Sequence, residues 1–513
     1  MGGDEFNQGG TSALRPALRA GGPNASGNRG TSGTTGAITT DVPSRLDRLP
    51  WTRFHVRIVV ALGVTWILDG LEVTMVGAIG PVLQNAGTLR FSSADIGAVA
   101  SFYVVGAVAG ALTFAWITDR RGRRWVFFAT LAIYISGVLL TAVSWNFWSF
   151  ALFRVITGLG IGGEYAAVNS AIDELMPSKY RGRVDIIVNG SFWLGAAAGA
   201  AATPVLLDPS LLPVDVGWRL GFAIGGVLGL SILLLRRHVP ESPRWLVTHG
   251  RLDEAERTLA AVEQEVAAEA GAHLKDPDQG ITIHLRTSFP LREIVASMLG
   301  EHRARSCLAL VLMISQAFLY NSVFFTYGLI LHSFYGVPEQ RIGLYVLPLA
   351  LGNYCGPLAL GALFDTVGRR TMIAGTFGVS GLLLFATAAL FSMGELSALT
   401  QTIAWVLIFF FASAAASSAY LTASEIFPLE SRALAIAMFY AAGTAIGGSL
   451  SPLLFGWLIG TGQSINVSIG YAIAAALLIA AAGTEWRFGI DAEGASLESI
   501  APPLSRTPAA GRT

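Results

Sequence analysis

Apolar residues in this chain come in long, nearly unbroken runs. They do not alternate as in a strand, and they do not form a stripe on a short helix. A helix that crosses a bilayer needs about 20 apolar residues. Twelve runs meet that need, at roughly 56–83, 95–117, 125–145, 148–173, 185–207, 219–238, 304–334, 341–362, 371–392, 399–424, 433–460 and 466–486. The pattern predicts an all-α polytopic membrane protein with twelve transmembrane helices, and an even count places both termini on one side. Residues 1–50 are rich in Gly, Ser, Thr, Pro and Asn and lack periodicity, which predicts a disordered N-terminal tail. The first apolar run is long enough to span, so it is read as a helix and not as a cleaved signal segment. Residues 239–302 are the one sizeable polar insertion. Within them RLDEAERTLAAVEQEVAAEA, residues 251–270, has strong helix formers and charges at i,i+4 spacing, so the segment reads as a linker with amphipathic helices. Residues 488–513 form a second tail. Between tails and linker stand two bundles of six helices, 51–238 and 303–487.

Composition agrees with a lipid surrounding. Hydrophobic residues make up 53% of the 513 positions and charged residues 13%, about half of the charge that soluble domains carry. A net charge of zero gives no reason to expect a nucleic-acid partner. The two cysteines, Cys307 and Cys355, support neither a disulfide framework nor a metal cluster, so no metal or cofactor is expected. Lys and Arg divide unevenly among the short loops. One set holds Arg120, Arg121, Arg123, Arg124, Lys179, Arg181, Arg183, Arg369, Arg370 and Arg432, and the other only Arg90, Arg219 and Arg341. The positive-inside rule then puts the first set, both termini and the 239–302 segment in the cytoplasm, with the protein in the plasma membrane.

The chain also repeats itself. Asp119 and Asp365 lie 246 positions apart, as do Gly122 and Gly368. Glu174, Pro177 and Arg181 return as Glu425, Pro428 and Arg432, each 251 positions on. Parallel repeats of this kind occur in transporters, with the solute site near the midplane between the halves.

The motifs AWITDRRGRR (115–124), GALFDTVGRR (361–370), RVITGLGIGGEYAAVNSAIDELMPSKYRGR (154–183) and PESPRWL (240–246) resemble those of the major facilitator superfamily. The resemblance covers residues from about 50 to 487 and is nearest the sugar-porter, aromatic-acid:proton symporter and synaptic-vesicle-glycoprotein-like branches. In the first loop motif Ala115 stands where the family has glycine; the second copy keeps Gly361. The resemblance implies a monomeric secondary transporter working by rocker-switch alternating access. It also implies a cytoplasmic gate built from Asp119, Arg120, Gly122, Arg123, Arg124, Glu174 and Arg181, and from Asp365, Gly368, Arg369, Arg370, Glu425 and Arg432 in the second half. There Arg124 and Arg181 would pair with Asp119 or Glu174, and Arg370 and Arg432 with Asp365 or Glu425. The same arginines also read simply as topology anchors.

Charges inside the runs are few. Asp69 and Glu72, in VTWILDGLEVTMVG, stand at i and i+3 on one face of the first run. Carboxylates that close repel, an arrangement suited to a proton-carrying group. Arg154 lies in the fourth run and Glu164 ten residues further, about 15 Å along a helix. The family's proton symporters often pair a first-helix carboxylate with a fourth-helix arginine, so Asp69, Glu72, Arg154 and Glu164 are the candidates for proton coupling. A fixed ion pair in a facilitator is the alternative, and Glu164 is equally placed for the inner cavity or the cytoplasmic ion-pair layer. The glycines of GLGIGG, residues 158–163, allow close helix packing and are no phosphate loop.

The helices that line the family's cavity supply solute-facing candidates: Asn189, Trp193, Gln316, Tyr320, Asn321, Tyr327, Asn353, Tyr354, Tyr420 and Tyr440. Amides among aromatics suit a small polar or aromatic solute. The expectation is a proton-coupled symporter importing an aromatic or other organic acid, or a sugar-like metabolite. An exporter or antiporter, an uncoupled facilitator and a non-transporting receptor remain as other readings. An enzyme is not expected, since the runs carry no metalloprotease motif, nucleophile elbow or cysteine–histidine pair.

Overall fold

The structure is a computed structural model that describes residues 37–236, 239–271, 274, 281–284, 296, 298, 300, 302–427 and 437–490. In chain order a strand β1 (Ala37–Thr40) and a short helix α1 (Val42–Asp47) come first. Six long helices follow: α2 (Arg53–Gln84), α3 (Ser93–Arg121), α4 (Arg123–Ala142), α5 (Phe147–Leu175), α6 (Ser178–Leu206) and α7 (Val214–Arg236). Then come α8 (Pro243–Thr248), α9 (Leu252–Ala270) and strand β2 (Ile281–His284). The second six are α10 (Arg303–Tyr335), α11 (Ile342–Thr366), α12 (Arg369–Met393), α13 (Ala398–Glu425), α14 (Ala437–Gly460) and α15 (Ser464–Phe488). Among the described residues ten of these long helices are apolar enough over enough length to cross a membrane. The other two, α5 and α6, have 29 residues each. The twelve expected runs are therefore twelve helices.

The chain divides into two compact units. The larger, Trp51–Ser242 with Phe289–Thr513, holds all twelve long helices. Large side chains such as Leu112, Leu152, Leu194, Leu382 and Trp457 are exposed on it, which suits helices bathed in lipid. Inside the unit, glycines let helices meet backbone to backbone. A Cβ on Gly158 or Gly162 of α5 would strike the carbonyls of Tyr103 and Ala107 on α3, and one on Gly160 would strike the Tyr134 backbone on α4. The run GLGIGG is thus the seam that seats α5 between α3 and α4. Gly70 of α2 against Phe192, and Gly195 of α6 against Ile67, make the same kind of seam between α2 and α6.

The two halves also meet closely. Gly77 on α2 abuts the Phe324 carbonyl and Gly328 on α10, Gly97 on α3 abuts Pro452 and Gly456 on α14, and Gly343 on α11 abuts Ala200 and Thr203 on α6. Every one of these crossings lies at the end of the bundle where α2 finishes and α3 starts. The halves are sealed on that side. Helix starts there carry side-chain caps, Ser92 with Asp95 on α3, Asn146 with Ser149 on α5 and Ser397 with Thr400 on α13, which satisfy amides left free at a helix start.

The smaller unit, Met1–Pro50 with Pro243–Ser288, carries the helix expected in the linker as α9 and departs from the expected disordered tail. Residues 37–50 are ordered: β1 pairs antiparallel with β2, Ala37 opposite His284, and Arg45 of α1 reaches α9. Its guanidinium donates to Glu263 (Nη2–Oε2 2.6 Å) and Glu256 (Nη1–Oε2 2.8 Å), while Arg48 also donates to Glu263 at 2.6 Å. The signal was hidden because a four-residue strand and a six-residue helix produce no sustained apolar period. The Glu263 hydrogen bond holds the Arg45 guanidinium well above its usual range. Burial pushes Glu263 up, but the hydrogen bonds from Arg45 and Arg48 outweigh it and leave its carboxyl below the ordinary range.

Candidate functional site

Between the two halves lies a cavity of about 170 Å³, tighter than the roughly 300–1,000 Å³ usual for small-molecule sites. The seams described above position its walls. The α2–α6 seam brings Asp69 beside Phe192 and Trp193, and the α3–α5 seam brings Tyr103 beside Tyr165. The second half adds Gln316, Tyr320, Asn321, Phe324 and Phe325 from α10, and Tyr440 and Thr444 from α14. Around Thr444 the helix opens into a π-turn, Thr444–Gly448, a widening common at functional sites. Rings face one another across the cavity: Tyr165 stacks on Tyr440 at 5.8 Å and Trp193 meets Tyr320 at 6.1 Å. The wall is aromatic with a few hydrogen-bonding groups. Among the described residues Asp69 is its only charged side chain.

Asp69 is 2% exposed. The Tyr103 hydroxyl donates to its Oδ1 at 2.8 Å and the Tyr165 hydroxyl to its Oδ2 at 3.4 Å, and it has no ion pair among the described residues. Glu72, one turn on, is buried and bonded to the fully buried Arg154. The guanidinium of Arg154 lies 4.2 Å over the Tyr103 ring. Asp69, Glu72 and Arg154 together carry two negative charges and one positive, so one charge is left uncompensated, and it sits on the cavity wall.

Glu164 does not line the cavity. It forms a second buried pair, with Arg236 of α7, and accepts from Thr130 at 2.6 Å, while Arg236 donates to Thr65 at 2.5 Å. This ties α2, α4, α5 and α7 together inside one half. Of the places expected for Glu164, it is not on the cavity wall, and its ion-pair partner is Arg236 at the end of α7.

The loop motif is partly described. Gly122 takes φ +90°, a left-handed geometry that favours glycine, and a Cβ there would meet the Glu241 carboxylate. Glu241 caps α4 by accepting from the backbone amides of Arg123 (2.9 Å) and Arg124 (3.2 Å), as suits an anion at a helix N-terminus. The partner of Glu174 is Arg123, not Arg124 as expected, since the Arg124 side chain points outward. Arg120 lies over the Trp116 ring at 3.8 Å. In the second half Gly368 repeats the geometry at φ +111°, Arg369 is half-buried, and Arg370 donates to the Trp486 carbonyl instead of an acid. The side chains of Asp119, Arg181, Asp365 and Glu425, and all of Arg432, lie outside the described residues.

Of the solute-facing candidates, Trp193, Gln316, Tyr320, Asn321 and Tyr440 line the cavity. Asn353 stands behind the wall, accepting from Tyr320 at 2.7 Å. Tyr327 is buried deeper along α10 against Thr402 (2.7 Å), Tyr354 is exposed on α11 and Asn189 lies off the wall; Tyr420 is outside the described side chains. Depth explains the Tyr327 departure: it is seven positions, two turns, beyond Tyr320, on the same face but where the halves are sealed. Sequence reasoning missed Tyr103, Tyr165, Thr444, Arg236 and Glu241. For Tyr165 a signal existed, since it directly follows Glu164 on the run already singled out.

The chain matches the model of the sugar (and other) transporter family over residues 56–502. It belongs to that family. It is 26% identical to the niacin transporter NiaP of Acinetobacter baylyi over 90% of this chain and 99% of the relative. It is also 32% identical to the 4-hydroxybenzoate transporter PcaK of Pseudomonas putida, over 45% of this chain and 50% of that one. The inward open conformation of the xylose transporter XylE from E. coli superposes with TM-score 0.68 at 19% identity, covering 88% of this chain and 99% of XylE. The protein is therefore a multi-pass membrane transporter with the major facilitator fold, not an enzyme, and it moves small molecules.

Proposed function

We propose that this protein is a proton-coupled symporter that imports a one-ring organic acid across the plasma membrane by alternating access, as a monomer with both termini in the cytoplasm. The observation that carries the reading is Asp69: a buried carboxylate on the cavity wall, held only by tyrosine hydroxyls, beside a Glu72–Arg154 pair that cancels itself. An ionised carboxylate repels an organic anion across a short, poorly screened distance. A proton on Asp69 brings the three-residue cluster to neutrality and removes that repulsion. Anion and proton then load together, and the occupied cavity carries no more net charge than the empty one. An uncompensated charge in such a site is costly, so the anion-only state, with two negative charges uncompensated, crosses poorly. Aromatic walls suit a ring, and two relatives bear the names of one-ring acids, niacin and 4-hydroxybenzoate.

The test is uptake into proteoliposomes of nicotinate, 4-hydroxybenzoate, a dicarboxylate and a hexose, with and without an inward proton gradient. The expected result is accumulation of one of the aromatic acids that an uncoupler abolishes, and that Asp69→Asn reduces to simple equilibration. Accumulation of the same size in Asp69→Asn would overturn the assignment of the proton to Asp69. Flux indifferent to the gradient would make the protein a facilitator.

A further inference from the structure

Asp69 is held asymmetrically. On Oδ1 the Tyr103 hydrogen bond is short, 2.8 Å, and the Tyr103 ring is fixed beneath the Arg154 guanidinium. On Oδ2 the Tyr165 bond is long, 3.4 Å. Tyr165 is half-buried, packs edge-on against Trp66 at 3.9 Å, and stacks on Tyr440 of the opposite half. Tyr165 thus lines the cavity beside Asp69, with its hydroxyl on Oδ2 and its ring against the opposite half.

We infer that Tyr165 is the positioning residue that reports the protonation of Asp69 to the solute. The inference rests on Asp69 being the proton site. With Asp69 ionised, the Tyr165 O–H donates to Oδ2 and is unavailable to a solute. An incoming proton bonds to Oδ2, the oxygen with the weaker partner. The new Oδ2–H donates to Tyr165 Oη, and the Tyr165 hydrogen rotates away from Asp69 toward the cavity. There it donates to the solute carboxylate. No bond other than Oδ2–H forms, and the hydrogen bond between the two residues reverses direction. Proton first, solute second is then a matter of donor supply as well as of charge. The stack on Tyr440 gives the same event a contact with the second half.

The other groups facing Asp69 do not compete for this role. Glu72 and Arg154 are ion-paired to one another. Tyr103 holds the opposite oxygen, and Tyr134 of α4 donates to the Leu68 carbonyl at 3.5 Å. From α6 and α10 the wall presents Phe192, Trp193, Gln316, Asn321 and Tyr320, and the Tyr320 hydroxyl is engaged by Asn353; α14 presents Tyr440.

The experiment is Tyr165→Phe in the full chain, which keeps the ring stack and removes the hydroxyl. Binding of the transported acid, nicotinate or 4-hydroxybenzoate, is measured from pH 5 to 8, with proton uptake read from calorimetry in buffers of different ionisation enthalpy. Wild type is expected to take up about one proton per solute, with affinity rising as pH falls. Tyr165→Phe is expected to bind about tenfold to a hundredfold more weakly at low pH, the cost of one charge-assisted hydrogen bond. Its pH dependence should flatten while it remains monodisperse. Tyr165→Phe with wild-type affinity and proton uptake would overturn the relay. If wild type itself takes up no proton, or Asp69→Asn still does, the underlying assignment of Asp69 fails, and the two failures are told apart.

Discussion

Arg154 shows how a buried charge is kept at the scale of a single residue. It is fully enclosed, bonded to Glu72 and laid over Tyr103. Removing one partner from a buried pair leaves the other uncompensated, at about 3–5 kcal/mol, whereas removing both together often costs little. Glu72→Gln is therefore expected to lower the thermal stability of the purified protein strongly, and Glu72→Gln with Arg154→Met to recover most of it. If the single change proves as stable as wild type, Glu72 is no structural partner of Arg154. The second buried pair, Glu164 with Arg236, follows the same rule. Asp69 differs from both acids in having no guanidinium partner among the described residues, and that difference is why the proposed proton site is placed there.

Elements decide which of the legible residues meet. The D-G-L-E spacing puts Asp69 and Glu72 on one face of α2, and that much follows from 3.6 residues per turn. That Glu72 takes Arg154 while Asp69 takes two tyrosines depends on how α2, α3 and α5 are rotated against one another, set by glycine seams far apart in sequence. The same dependence turned Tyr354 away from the cavity and brought in Tyr103 and Tyr165. Glu241 caps α4 from a loop more than a hundred residues later, a closure no local pattern announces. Glycine also governs the crossings between halves. Gly97→Trp would drive a large ring into the Pro452 carbonyl and Gly456 on α14, so the side where α2 finishes and α3 starts cannot close. The variant is expected to bind solute from that side but to transport it at less than about a tenth of the wild-type rate, since the closed state of the cycle is lost. Counterflow measured in oriented proteoliposomes checks it, and wild-type exchange would show that this crossing need not form.

The whole molecule adds what neither residue nor helix displays. Twelve apolar runs, an internal repeat and the loop motifs made the bundle legible, because lipid imposes a length and a composition on every span. In the smaller unit α9 was legible, but the order of residues 37–50 was not, because it rests on a four-residue ladder and one cluster of arginines and glutamates. Its sign with pH is definite. Glu263 has its carboxyl held below the ordinary range by Arg45 and Arg48, so its stabilising contribution is complete above the unfolded carboxyl range and is lost as pH falls through the depressed folded value. Proteolysis within residues 37–50 of the full chain is expected to be slow at pH 7 and to accelerate in acid. Glu263→Gln, which gives up charge-assisted hydrogen bonds of about 1–2 kcal/mol, should already be cleaved faster at pH 7. Equal cleavage of variant and wild type at pH 7 would remove the cluster from the account.

The central claim, that Asp69 carries a proton across with the solute, is met most directly by following the proton itself. Nicotinate or 4-hydroxybenzoate is added outside weakly buffered proteoliposomes that hold no imposed gradient, and the external pH is recorded. The account predicts alkalinisation with solute entry, faster than in protein-free liposomes and absent in Asp69→Asn. Solute entry through the wild-type protein with no proton following it would contradict the account.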